Sequence, residues 1–167
     1  MHEGVNISTT ESEAGLQPAL LARLVNASPA VLYSCKVAGD CGTIAVTENV
    51  KAMLGYGPED FISDPSFWAV RIHPEDGARV FEEMPRLLRD GAQTIEYRFR
   101  RADGTYIWLR DQMRLERDDD GHPLRILGCW LDITGQKPRP AFAALILSSA
   151  TELTNTMTGG GNYAKQT

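Results

Sequence analysis

Three strands written one after another between Ile95 and Ile133 constrain this chain more than any other feature. Ile95, Tyr97 and Phe99 alternate with Glu96, Arg98 and Arg100, the period-two pattern of a half-buried strand. Asp103-Gly104 marks a hairpin turn, because the glycine accepts the left-handed backbone such turns require. Tyr106 to Glu116 alternates again and sends Ile107, Leu109, Asp111, Met113 and Leu115 to one face. Asp118 to Gly121 makes a second turn, and Leu124 to Ile133 is apolar on both faces, as a central strand would be. A meander of this kind must lay its apolar face against something.

The preceding residues supply that cover. Leu20, Leu21, Leu24 and Val25 recur at helical spacing from Gln17, and Ala27-Ser28-Pro29 stops the helix. Val31 to Val37 and Thr43 to Thr47 read as two strands joined through Ala38-Gly39-Asp40. Glu48 to Leu54 is a short helix closed by Gly55. Two more short starts follow, at Pro58-Glu59-Asp60-Phe61 and at Asp64 to Trp68. A longer helix opens at His73-Pro74-Glu75-Asp76, with His73 as its N-cap, and Pro85 should kink it or break it early, before Asp90-Gly91. Strands first, helices next and three strands last make an α+β layout.

The chain has 167 residues, a net charge of -5 and a pI near 5.2. An acidic balance argues against a nucleic-acid partner, and no window has the roughly 18 apolar residues of a membrane span. The N-terminus has no basic start or apolar core, so the expected setting is cytoplasmic. Cys35, Cys41 and Cys129 form no disulfide framework, and with His2, His73 and His122 they give no zinc spacing, so no metal is expected. The Asp118–Asp120 run reads as a solvated turn rather than a calcium loop. No phosphate loop, metalloprotease helix or kinase signature is present, so no catalytic residue is assigned.

Four segments together resemble a PAS domain of the PAS/PAC type. They are Asn26-Ala27-Ser28-Pro29-Ala30, Thr47-Glu48-Asn49 through Gly55-Tyr56 and Phe61, Ile72-His73-Pro74-Glu75-Asp76, and Trp130-Leu131-Asp132-Ile133-Thr134. The resemblance implies a five-stranded antiparallel sheet in the order 2-1-5-4-3, with short helices packed on one face. It divides the chain into a disordered segment 1–16, a PAS/PAC domain with its flanking helix over 17–137, and a linker, helix and tail over 138–167. It also implies a non-catalytic sensory module, the input domain or a fragment of a multidomain sensor such as a histidine kinase.

The resemblance also frames the site. The cysteine signature of flavin-binding relatives is missing and His73 is spoken for as a cap, so neither flavin nor haem is expected; a small apolar ligand is the alternative to none. Asp111 is the pocket candidate, unless a bulge turns it outward or Arg110 or Arg98 pairs it locally. Trp68, Trp108 and Trp130 are candidate cavity liners. Asp132, Ile133 and Thr134 are the expected link to an output segment. The leucine face of the first helix, with Phe142, Leu145, Ile146 and Leu153, points to a homodimer through flanking helices. Two other readings stand beside the sensor: a small enzyme using a pocket carboxylate, and a pure dimerisation module.

Overall fold

Gly104 and Gly121 both hold a left-handed backbone, with φ of 85° and 84°, and so turn the last three strands back on one another. In the computed structural model, which describes residues 17–138, those strands are β3 (Ala92–Arg100), β4 (Tyr106–Arg117) and β5 (Pro123–Asp132). Ahead of them come α1 (Pro18–Ala27), β1 (Val31–Lys36), β2 (Thr43–Val46), α2 (Val50–Leu54), α3 (Pro58–Ser63), α4 (Pro74–Glu83) and α5 (Pro85–Asp90). Short 3-10 turns occupy Ala69–Arg71 and Thr134–Gln136. The strands form one antiparallel sheet in the order β2-β1-β5-β4-β3, as expected. The apolar β5 is therefore its centre. The segments 1–16 and 139–167 lie outside the described residues, and with them the C-terminal half of the dimerisation argument.

The core lies between the sheet and the short helices. Ile95, Tyr97, Phe99, Ile107, Leu109, Met113, Ile126 and Trp130 from the sheet meet Val50, Leu54, Phe61, Val80 and Leu87 from the helices, all buried. Burial of each large side chain is worth about 1.5–3 kcal/mol, which holds helices too short to stand alone. Pro85 splits the long helix at Met84 into α4 and α5, because it brings no backbone donor to the helical ladder. His73 caps α4, its Nδ1 accepting from the Glu75 amide at 3.2 Å. Asp76, one turn in, reaches the sheet: Arg98 donates to it through its backbone amide (2.8 Å), Nε (2.9 Å) and guanidinium (2.9 Å).

Asn49 fastens the other end. Its Nδ2 donates to the carbonyls of Ser28 (3.0 Å) and Ala30 (2.7 Å), closing the entry to β1. The helix α1 before that point buries none of its residues, and Leu20, Leu21 and Leu24 are 46%, 49% and 53% exposed.

Candidate functional site

Beneath the sheet lies a cavity of about 380 Å³. Tyr33 and Cys35 come to it from β1, Asp111 and Met113 from β4, Ile126 and Trp130 from β5, and Trp68, Phe81 and Met84 from the helical side. Its walls are mostly apolar and aromatic, and the volume falls in the range that holds small ligands.

Asp111 faces this cavity and is 1% exposed. Both alternatives to that placement are overturned. The β4–β5 ladder is regular through Asp111, its one irregularity falling at Glu116/Arg117, so no bulge turns the residue out. The two arginines are engaged elsewhere: Arg110 with Glu96 at 2.9 Å, and Arg98 with Asp76 and Glu75. Strand alternation puts both on the opposite face of the sheet.

Phenols replace them. Tyr33 Oη donates to one carboxylate oxygen at 2.7 Å and Tyr97 Oη to the other at 3.0 Å. Trp68 Nε1 donates to Tyr97 Oη at 2.8 Å, so four residues form one chain of bonds around a single acid. Trp130 Nε1 lies near enough to favour the charged carboxylate without completing a hydrogen bond. Burial nevertheless prevails, and Asp111 is pushed up from 3.8 to about 6. Burial, and then the neighbouring carboxylate, push both phenols up from their ordinary range. The Cys35 thiol is pushed up to about 12 by the same two causes.

Tyr33 reaches Asp111 from two strands away, and a glycine allows it. Gly128 on β5 sits opposite Tyr33, and a Cβ there would stand 2.0 Å from the Tyr33 ring. The ring crosses β5 at the one position without a side chain. Sequence reasoning missed both Tyr33 and Tyr97 as partners of the acid. Two signals pointed to them: Tyr33 alternates with Val31 and Cys35, and a lone glycine inside an apolar strand marks a close approach.

Of the three tryptophans, Trp68 and Trp130 line the cavity and Trp108 does not. Trp108 lies on the far face of β4, under Arg98 (5.5 Å to the ring centroid) and Lys137 (4.6 Å). The alternation that turns Asp111 inward turns Trp108 outward, three residues away.

Asp132, Ile133 and Thr134 form a pinned corner at the end of β5. Asp132 accepts from the Thr134 amide at 2.9 Å and pairs with Arg101 at 3.1 Å. The Ile133 amide donates to the Trp108 carbonyl at 2.9 Å, and the Trp108 amide donates to Thr134 Oγ1 at 3.0 Å. Ile133 itself is buried. At the β4–β5 turn, Asp118, Asp120 and His122 bring ligand atoms within 4.8 Å of one another, all exposed. Asp118 is used there by the turn, accepting from the amides of Asp120 and His122.

Comparison with known proteins agrees with this geometry. The two-component sensor PprA of Pseudomonas aeruginosa is 32% identical over 129 residues, and the methyl sulfide methyltransferase-associated sensor of Methanosarcina acetivorans is 28% identical over 119 residues. These matches cover 75% and 70% of this chain but span only 14% and 12% of the length of those sensors. Among solved structures, the N-terminal domain of a diguanylate cyclase with PAS/PAC sensor from Marinobacter aquaeolei superposes with a TM-score of 0.58 at 26% identity, over 64% of this chain and 97% of that one. Light-oxygen-voltage structures share the fold at 18% identity, with TM-scores of 0.61 and 0.57. Residues 43–129 match the family described as PAS fold. With that match, the sheet order and the sensor relatives in agreement, this chain belongs to the PAS family and contains a PAS sensory domain.

Proposed function

We propose that this chain is a non-catalytic sensory module that binds a small molecule in the Asp111 cavity and reports occupancy through Asp132-Ile133-Thr134. One observation carries this reading. Asp111 and Trp130, both in the cavity wall, are register partners, and the next pair on the same faces is Leu109 and Asp132. A ligand that shifts Trp130 therefore pushes on the corner where the chain leaves the sheet. Sensor relatives in which this domain is a small part of the length support an input role, with a histidine kinase as the expected parent.

The chemistry of the cavity supports binding rather than catalysis. Its lining has no histidine, and Cys35, with its thiol pushed up to about 12, is protonated near neutral pH. Three free cysteines suit a reducing cytoplasm, and no helix among the described residues is long and apolar enough to cross a membrane. None of the cysteines stands on a helix, which speaks against flavin-cysteine photochemistry, and His73 is held as a cap rather than offered to haem.

Native mass spectrometry of the purified full chain tests the reading. The expected result is a bound small molecule with no haem or flavin absorbance, lost in Asp111→Asn. An empty cavity in every preparation, with no added small molecule raising the melting temperature, would remove it. The exposed leucines of α1 favour one addition, homodimerisation through that helix. Sedimentation at micromolar concentration should show a dimer that Leu20→Asp with Leu24→Asp splits; a monomer in both proteins ends that part.

A further inference from the structure

The cavity has an acid and no base. Asp111 lines it, Asp40 stands at its edge, and the lining has no lysine, arginine or histidine. Asp40 is already paired with Lys36 at 3.0 Å and exposed, so it adds to the sign of the site without needing a partner. Asp111 is the reverse. When ionised it is a buried charge held by neutral donors alone, with hydrogen bonds from Tyr33 and Tyr97 and Trp130 Nε1 close by. A carboxylate offers about four acceptor sites, and two phenols leave some of them open. A buried charge without a countercharge is costly, and a cation entering the cavity offsets that cost.

The remaining walls suit the same guest. Tyr33 and Trp130 pack with ring centroids 4.6 Å apart, and Trp68 and Phe81 with centroids 6.0 Å apart. Aromatic rings attract cations through their negative faces, and Trp and Tyr do so best. Met84, Met113 and Ile126 complete an apolar lining that favours a hydrocarbon body. An anion would meet Asp111 with no positive side chain to receive it.

We propose that the cavity selects a small organic cation, a primary ammonium group on an apolar body, with the ammonium at Asp111 and the body between the two aromatic pairs. This rests on the sensory reading of the same cavity and adds the class of its ligand. It also gives the sensor a pH limit. Of the ionisable groups near Asp111, Tyr33 and Cys35 on β1, Tyr97 on β3 and Cys129 on β5 are all neutral near pH 7. At the cavity edge the Gly42 amide and Lys36 hold Asp40 below the ordinary carboxylate range, so Asp111 is the lining carboxyl whose charge changes at about 6. Amine binding should fade as it takes up a proton.

Titration calorimetry of the full chain with phenethylamine, 2-phenylethanol and phenylacetate, one skeleton in three charge states, decides the matter. At about pH 8 phenethylamine should bind at least about tenfold more tightly than the alcohol, with phenylacetate weakest. At about pH 5 the amine keeps its charge while Asp111 loses its own, and the advantage should fall to within about twofold. Asp111→Asn should show the same loss at the higher pH. The wild-type pH comparison needs no variant, so it stands even where that variant folds poorly. Equal binding of amine and alcohol, or preference for the anion, overturns the cationic class and leaves the cavity a ligand site. Binding of none of the three overturns it as well; a co-purified molecule in the native mass spectrum then shows that the sensory reading survives, and its absence that both have failed.

Discussion

Two carboxylates are buried in this domain, Asp76 at 7% exposure and Asp111 at 1%, and their environments drive them in opposite directions. Burial works against the charged form of both. At Asp76 the three bonds from Arg98 outweigh it and hold the carboxyl below its ordinary range. At Asp111 the two phenols do not, and the acid rises to about 6. A full positive charge across the bond thus separates an acid that joins helix to sheet from one bonded only by neutral phenols. Asp76 sits where a fold needs a clamp, and Asp111 where a cavity offers room for a guest.

The largest effect should come from the pH dependence of Asp111. A carboxyl raised in the folded state binds its proton there first, so its contribution to stability declines as pH rises from 3.8 to about 6. The decline amounts to about 3 kcal/mol across that window. Asp111→Asn should remove it, so that denaturant melts of variant and parent diverge by that amount between about pH 4 and pH 7. Parallel curves would mean that Asp111 is not the isolated buried charge described.

Asp76 should behave the opposite way. Its lowered carboxyl supports the fold above its ordinary range and loses that support only as pH falls through and below it. Asp76→Ala should cost about 2–3 kcal/mol in urea unfolding, since it strands the Arg98 guanidinium and backbone amide, with little change between about pH 6 and pH 8. A loss under about 0.5 kcal/mol would mean the clamp is dispensable.

Gly128→Ala tests how Asp111 acquires its donors. The added Cβ would force the Tyr33 ring off β5, at a cost of about 1–2 kcal/mol, and drive the Asp111 carboxyl higher in a carbon-13 NMR titration. An unmoved Asp111 titration would show that Tyr33 contributes little to it. The smallest effect belongs to Glu75→Gln. Glu75 also pairs with Arg98, at 2.8 Å, but its side chain is 73% exposed, and its loss should cost under about 0.5 kcal/mol. A cost equal to that of Asp76→Ala would erase the distinction between buried and exposed partners of one arginine.

Much of this was written in local sequence. The two Asp-Gly turns, the break at Pro85 and the cap at His73 follow from the conformational limits of single residues and their immediate neighbours. Strand alternation over Ile107 to Met113 turned Asp111 inward, and applied evenly it would have turned Trp108 outward. What local sequence did not determine was the company each acid keeps. Tyr33 is 78 residues from Asp111, and Arg98 is 22 from Asp76. Those meetings depend on which strands neighbour each other and in what register, and on a bare glycine opposite Tyr33. Whether a carboxylate becomes a clamp or a pocket acid is set by charges brought to it across the sheet, because electrostatic energy depends on distance in space and on burial, and chain order carries neither.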